Sequence, residues 1–177
     1  MTTSLLNPGR SCFILGGMAL GLAALFAPVL AMAPLRVVFN VSDSAPRGFY
    51  AVSAQPIRRG DYIVTRLPAD IVAFAAERRY LPGNVPLLKR VAAAYGDHVC
   101  VRSGAVGING RVVASTLARD SRGRPLAAWP GCRLLRENEL FLLAGEHRAS
   151  FDSRYFGPIV RAAAYGRAAP LWVWGPS

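Results

Sequence analysis

Residues 86–97 of the chain read PLLKRVAAAYGD, and this stretch contains a predicted strand, Leu87–Ala93. Its central run, LLKRVAA, is apolar except for Lys89 and Arg90. Because side chains alternate across a strand, we expect Lys89 to share a face with Leu87 and Val91. If that face is the core, the amine of Lys89 lies at low dielectric. The alternative is an edge strand on which the lysine stem lies along the surface and its charged end reaches solvent.

The lysine content of the chain also draws attention to Lys89. The chain has 21 basic residues, and Lys89 is the one lysine among them. A GC-rich genome explains the general excess of arginine, but not where the lysine is kept. Arginine stays protonated at any accessible pH, whereas a buried lysine can lose its proton. Lys89 is therefore a candidate for a group that works in its neutral form.

On both sides of this stretch, short β-like runs alternate with turn residues. This pattern predicts a mainly β domain of short, non-parallel strands. Asn109-Gly110 is a two-residue hairpin signal between two of them. Besides the run around Lys89, the predicted strands are Gly48–Val52, Asp61–Arg66, His98–Arg102, Ala105–Ile108, Arg111–Ser115, Glu139–Ala144, Pro158–Ala164 and Leu171–Trp174.

One helix and one long loop complete this prediction. Residues 69–80 follow Pro68 and place Ile71 and Phe74 on one face, which favours a helix. Residues 118–130 are polar and contain glycine and two prolines, so we expect a long surface loop there.

The amino-terminal part carries a targeting signal. Residues 11–35 form an uncharged run of 25 residues, longer than the roughly 20 that a membrane-spanning helix needs. Arg10 is the only charge before it, which favours a cytoplasmic N-terminus for residues 1–10. We expect residues 11–35 to form a transmembrane anchor and residues 36–177 to be exported. A cleaved signal peptide is the alternative, since Ala31-Met32-Ala33 has the A-x-A form, although Pro34 would make an unfavourable first residue after the cut.

Composition limits the classes of function. Apolar residues make up 53% of the chain, enough for a packed core. The net charge is +11, but the basic residues are scattered without a basic stripe or a nucleic-acid-binding motif, so we expect no nucleic-acid partner. His98 and His147 lack metal-ligand spacing, and we expect neither a metal nor a cofactor. Cys100 and Cys132 would both be exported, where a disulfide and two free thiols are equally open.

Two further segments are polar. Residues 40–50 read NVSDSAPRGFY, and residues 145–160 read GEHRASFDSRYFGPIV. Taken alone, each is typical of a turn or loop, because serine, aspartate, proline and glycine favour turns.

Together with the stretch around Lys89, these segments resemble the type I signal peptidase family. That family has a nucleophilic serine followed shortly by proline, a K-R-V box followed by G-D, and a G-D-N-x-x-x-S-x-D-S-R-x-x-G box. Residues 89–91 and 96–97 match the second box. The third box is matched at Ser150, Asp152, Ser153, Arg154 and Gly157, with departures at Glu146 and His147.

The serine box indicates a branch of that family. Ser44-Ala45-Pro46 is one residue shorter than the usual spacing, and the resulting S-x-P-x-G-x-Y form is similar to the TraF branch, the peptidases of plasmid conjugative transfer. The resemblance implies a signal-peptidase-like antiparallel β domain in the periplasm, attached to the bacterial inner membrane. It also implies a serine endopeptidase that matures a pilin precursor, by hydrolysis or by cyclisation, beside other proteins of a type IV secretion apparatus.

The resemblance assigns the chemistry to named residues. Ser44 matches the nucleophile that forms an acyl-enzyme, and Lys89 matches the neutral base that activates it. The Ser44 N–H and the Ser42 hydroxyl match the two donors of the oxyanion hole. Asp152 matches an acidic residue that is placed with the catalytic set.

Two supporting residues follow from the same resemblance. Ser150 matches the residue that orients the lysine amine, and Arg154 matches the ion-pair partner of Asp152. Two other functions stay open: a general leader peptidase for exported proteins, and an inactive periplasmic scaffold of the conjugation apparatus. The presence of Ser44 and Lys89 argues against the scaffold.

Overall fold

The computed structural model describes residues 8–31, 36–145 and 147–175. The chain divides into two units, Met1–Leu35 and Arg36–Ser177. In the first, α1 spans Pro8–Ala31. Among the described residues, no helix combines the length and the apolar character required to cross a membrane. The predicted membrane anchor and the cytoplasmic N-terminus stay predictions, and residues 1–7 and 32–35, with most of the A-x-A triplet and Pro34, lie outside the described residues.

The second unit is built from short strands, as the sequence predicts. They are β1 (Arg36–Asn40), β2 (Arg47–Ser53), β3 (Tyr62–Thr65), β4 (Leu87–Ala93), β5 (His98–Arg102), β6 (Ala105–Ile108), β7 (Arg111–Ser115), β8 (Cys132–Leu134), β9 (Glu139–Leu143), β10 (Ile159–Val160) and β11 (Ala164–Trp174).

The strands form two antiparallel sheets. The larger sheet has the order β1-β2-β11-β3-β4-β9-β10, and the smaller has the order β7-β6-β5-β8. Within each sheet, every pair of neighbouring strands is antiparallel. The predicted mainly β, antiparallel fold class is therefore confirmed.

Helices are few. α2 spans Ala69–Glu77 and ends three residues before the predicted boundary, because Arg79 takes a positive φ of 58° that a helix cannot continue. α3 spans Ser153–Phe156 and was not predicted. The predicted strand Pro158–Ala164 is wrong in its second half: after β10 the chain forms a 3₁₀ turn at Arg161–Ala163.

The core lies where strand alternation places it. Along β4, Leu87, Lys89, Val91 and Ala93 are buried while Arg90 is exposed. Leu87 and Val91 pack with neighbouring strands in one apolar cluster, and Ala93 packs with residues of the smaller sheet in another. The face of Lys89 is thus the core face, and the edge-strand alternative does not apply.

The smaller sheet contains the predicted hairpin and a covalent link. Asn109 and Gly110 join β6 to β7, and both have positive φ, as this type of two-residue turn requires. Cys100 on β5 and Cys132 on β8 form a disulfide. β8 was not predicted, since three residues are too short to show a periodicity. β1 was not predicted either, and of β11 only Leu171–Trp174 was predicted as a separate strand.

Candidate active site

The nucleophile candidate lies in the loop of the β1–β2 hairpin. Asn40 ends β1 and Arg47 begins β2, so residues 41–46 form the connecting loop, called the nucleophile loop below. Gly48 has φ of 140°, and a Cβ there would lie 2.7 Å from the Cα of Val173 on β11. Only glycine lets β2 and β11 approach this closely, which explains the glycine of the S-x-P-x-G-x-Y form.

Ser44 is half-buried in this loop. Its Oγ lies 2.9 Å from Ser42 Oγ. Among the hydrogen bonds of the described residues, the Ser44 hydroxyl contacts Ser42, and no hydrogen bond joins it to Lys89.

Lys89 presents a buried amine. The residue is 4% exposed, and its Nζ donates a hydrogen bond of 2.8 Å to Ser150 Oγ. Burial lowers the pKa of Lys89 from 10.5 to about 8. The charge of Asp152 opposes this change in the pKa of Lys89, and the charge of Arg154 adds to it. The amine is therefore suited to lose its proton near neutral pH.

Asp152 and Arg154 form an ion pair that is entirely buried, with both side chains 0% exposed. Arg154 Nε donates to Asp152 Oδ1 at 2.7 Å, and Arg154 Nη2 donates to Asp152 Oδ2 at 3.0 Å. The carboxylate also accepts from the backbone N–H of Ala144 at 3.0 Å and caps α3. The guanidinium donates further to the carbonyls of Ser115 and Ala144, at 2.8 and 3.1 Å.

This pair joins three parts of the chain. It connects the end of β9, the end of β7 and the loop that carries Ser150. Because nearly every polar atom of the pair has a partner, the pair can stabilise the loop without leaving an unpaired buried charge. The geometry thus agrees with a bracing role, while a direct role of Asp152 in catalysis stays a prediction.

A cleft of about 350 Å³ brings the other predicted residues together. Ser42, Ser44, Lys89 and Ser150 all line it, although they come from three distant segments of the chain. Neither Asp152 nor Arg154 lines the cleft, and the disulfide lies on the smaller sheet. Several apolar side chains complete the walls, including Val38, Val64, Leu87, Tyr80 and Phe151.

Two aromatic side chains, Tyr80 and Phe151, form one wall of the cleft, and the sequence did not predict this role. The rings of Tyr80 and Phe151 lie 5.1 Å apart, and Tyr80 Oη donates to Asp120 Oδ2 at 2.6 Å. Arg124 Nε donates to the same carboxylate oxygen at 2.7 Å. The segment 118–130 is a mostly exposed loop, as predicted, and Asp120 attaches it to the segment after α2.

Asn40 is a second residue that was missed. It begins the polar segment 40–50, but a buried asparagine has no distinctive sequence pattern. Its side chain makes several hydrogen bonds within the nucleophile loop. His147, where the family pattern has asparagine, also lines the cleft, and its Nδ1 is buried without a hydrogen-bond partner among the described residues.

Comparison with known proteins identifies the family. The model of the signal peptidase family, peptidase S26, matches residues 10–174. The plasmid transfer protein TraF of Escherichia coli is 31% identical over 164 residues, covering 87% of this chain and 92% of the relative. The conjugal transfer protein TraF of Agrobacterium fabrum (strain C58 / ATCC 33970) is 34% identical over 149 residues, covering 77% of this chain and 82% of the relative.

A solved structure also matches. The crystal structure of a signal peptidase I from Enterococcus faecalis V583 is 22% identical, covers 65% of this chain and 98% of its own, and has a TM-score of 0.40. The family model covers almost the whole chain, and the TraF relatives are matched over most of their length. The chain therefore belongs to the signal peptidase family, peptidase S26, as a signal-peptidase-type serine peptidase of the TraF-like, conjugal-transfer branch.

Proposed function

We propose that this protein is a membrane-attached serine endopeptidase that uses Ser44 and Lys89 to mature a pilin precursor for plasmid conjugative transfer, with its catalytic domain in the periplasm. The observation that supports the proposal most strongly is the environment of the Lys89 amine. Its amine is buried, it is hydrogen-bonded to Ser150, its pKa is lowered to about 8, and it lines the same cleft as Ser44.

The reaction begins with proton transfer from Ser44 to Lys89. The neutral amine takes the hydroxyl proton as Ser44 Oγ attacks the scissile carbonyl carbon, which becomes tetrahedral. When the C–N bond breaks, Lys89 delivers that proton to the leaving amine. The acyl group remains on Ser44 as an ester, and Lys89 is neutral again.

The negative charge that develops on the carbonyl oxygen must be stabilised by hydrogen-bond donors. The backbone N–H of Ser44 and the hydroxyl of Ser42 are the donors that the nucleophile loop offers for this role. A donor of this kind typically changes kcat by about 100- to 1000-fold. The Ser150 hydroxyl keeps the amine of Lys89 in the cleft while its protonation state changes.

The acyl-enzyme has two outcomes. Attack by water releases a free carboxylate, and attack by the amino terminus of the same pilin gives a cyclic product. Lys89 acts as base toward either nucleophile. The pilin substrate rests on the TraF relatives, which are named for plasmid or conjugal transfer. Attachment of both proteins to one membrane raises their effective concentration.

Complementation of a deletion of this gene from its conjugative element tests the proposal. We expect the wild-type chain to restore pilin processing and transfer, while Ser44→Ala and Lys89→Arg leave full-length precursor in mass spectra of the membrane fraction. Ser121→Ala, in an exposed position, and Arg90→Lys, beside Lys89 on the opposite face, are the matched controls and should process normally.

The same spectra separate the alternatives. A cyclic product is lighter by one water than the linear product. Retained signal peptides on many exported proteins in the Ser44→Ala strain indicate a general leader peptidase. Normal transfer with Ser44→Ala, but none with the deletion, indicates a scaffold and refutes the proposed enzyme.

A further inference from the structure

Asn40 holds the nucleophile loop from inside. The residue is 8% exposed, although a buried asparagine side chain is costly without partners. Its Nδ2 lies 2.9 Å from the carbonyl oxygens of Ser42 and Ala45 and 3.1 Å from that of Pro46. Its Oδ1 accepts from the backbone N–H of Ser42 at 3.2 Å. The amide thus fixes both ends of the segment that contains Ser44.

The orientation of this amide follows from its neighbours. Three carbonyl oxygens surround one of its terminal atoms, and carbonyl oxygens can only accept, so that atom must be the NH₂ group. A backbone N–H points at the other terminal atom, which must therefore be the oxygen. The opposite assignment would place the amide oxygen against three carbonyl oxygens and the NH₂ group against a backbone N–H.

The same oxygen determines where the hydroxyl hydrogens lie. Asn40 Oδ1 is 2.9 Å from Ser42 Oγ, and because Oδ1 can only accept, the hydrogen of Ser42 lies on this contact. The 2.9 Å contact between Ser42 Oγ and Ser44 Oγ must then use the hydrogen of Ser44. In this resting arrangement, the hydrogen of Ser42 is held by Asn40, so Ser42 must exchange this acceptor before it can donate to an oxyanion.

We propose that Asn40 is a positioning residue that sets the nucleophile loop and holds the Ser42 hydroxyl until the oxyanion forms. This inference rests on the proposed Ser/Lys mechanism. Ser44 transfers its proton to Lys89 as its Oγ bonds to the carbonyl carbon. Ser44 can then no longer donate a hydrogen bond to Ser42 Oγ. Ser42 keeps its own hydrogen and only changes acceptor, from Asn40 Oδ1 to the oxyanion. Asn40 touches no reacting atom and acts through Ser42.

Steady-state cleavage of the pilin precursor by the full chain tests this role. We expect Asn40→Ala to lower kcat by about tenfold to 100-fold with little change in KM, since a displaced catalytic group can cost about 100-fold. Asn109→Ala is the matched control. Asn109 also accepts from a backbone N–H and donates to an acidic side chain, but it lies in the β6–β7 turn. It should lower stability and leave kcat unchanged.

A double-mutant cycle with Ser42→Ala tests whether Asn40 acts through that hydroxyl. If it does, Asn40→Ala lowers kcat by a clearly smaller factor in the Ser42→Ala background than in the wild type. Equal factors in both backgrounds overturn the coupling. An Asn40→Ala protein with normal kcat overturns the whole inference.

A measurement without the pilin distinguishes failure of this inference from failure of the proposed mechanism. In a Ser44→Cys chain, the rate at which iodoacetamide alkylates the introduced thiol is followed by peptide mass mapping. If Lys89 faces position 44, its ammonium favours the thiolate, and adding Lys89→Met slows alkylation several-fold near neutral pH. Adding Asn40→Ala should slow alkylation as well. An effect of Lys89→Met without an effect of Asn40→Ala overturns the inference alone, and no effect of Lys89→Met contradicts the Ser/Lys pair.

Discussion

The amine of Lys89 and the hydroxyl of Ser150 are joined by a hydrogen bond of 2.8 Å across 61 residues of sequence. This bond connects the middle of β4 to the loop before α3. Because both groups are buried, the bond gives the lysine amine one defined position in the cleft. The loop of Ser150 is in turn held by the buried pair of Asp152 and Arg154.

Removal of the Ser150 hydroxyl should therefore lower activity without unfolding the protein. We expect Ser150→Ala to lower kcat by about tenfold or more, because the amine loses its orientation. Ser153→Ala is the matched control: Ser153 is equally buried, but its Oγ accepts from the backbone N–H of Leu142, so its loss should lower stability more than kcat. Rates normalised to folded protein decide the comparison, and equal kcat values for the two variants would contradict it.

The pH dependence of cleavage reports on Lys89. Only the neutral amine is a base, so kcat/KM should rise with pH as one ionisation with an apparent pKa of about 8. Burial is the main cause of this low pKa of Lys89. A pH–rate profile of the wild type, with folding monitored at each pH, checks the value. An ascending limb near 10.5, the ordinary pKa of lysine, would mean that the amine is exposed in solution.

Asp152→Asn should move that profile. The charge of Asp152 raises the pKa of Lys89, so its removal shifts the ascending limb to lower pH. The variant should also lose about 3–5 kcal/mol of stability, because Arg154 is left buried and unpaired. If Asp152 is a brace, folded Asp152→Asn enzyme retains substantial kcat on the plateau. Loss of turnover at every pH, with circular dichroism unchanged, would place Asp152 among the catalytic residues.

Replacement of Lys89 should increase stability. Since the folded state lowers the pKa of Lys89, protonation opposes folding as the pH falls from about 10.5 to about 8, and below that the cost is fully present. Lys89→Met removes this cost, and we expect a gain of about 1–3 kcal/mol at pH 7, offset in part by the lost bond to Ser150. Urea unfolding at pH 7 and pH 10 checks the sign, since the gain should shrink at the higher pH. A loss of stability at pH 7 would refute it.

The disulfide should contribute to stability in the smaller sheet. Cys100 and Cys132 are 32 residues apart, and closing a loop of this size stabilises a domain by about 2–4 kcal/mol in the chain-entropy account. The double variant with serine at both positions should lose this amount in denaturant titrations. Addition of a reductant to the wild type should reproduce the loss, while the same reductant should leave the double variant unaffected. Equal unfolding midpoints in all four samples would mean that the link is not formed.

The sequence predicted those parts of the fold that strand periodicity controls. Alternation placed Lys89 on one face of β4 with Leu87 and Val91, opposite Arg90, and the structure shows that this face is the core. It could not predict β8, which is only three residues long, or the 3₁₀ turn after β10, where an apolar run leaves the sheet.

The cleft was predicted less completely than the fold. Family motifs indicated Ser44, Lys89 and Ser150, because their spacing is distinctive. Asn40 and Tyr80 were missed for a physical reason: their roles depend on hydrogen bonds to groups that only the folded loop brings near. For Asn40 these are backbone carbonyls, and for Tyr80 the carboxylate of Asp120.

The position of β11 in the larger sheet has a consequence for the timing of activity. β11 lies between β2, which leads from the Ser44 loop, and β3, which pairs with the strand of Lys89. It is also the latest of the described strands to leave the ribosome. The halves of the sheet that carry the serine and the lysine are thus joined only when this strand enters between them. A chain whose synthesis has not reached β11 therefore cannot hold Ser44 and Lys89 in one sheet, and we expect the cleft to form only after this strand has been synthesised.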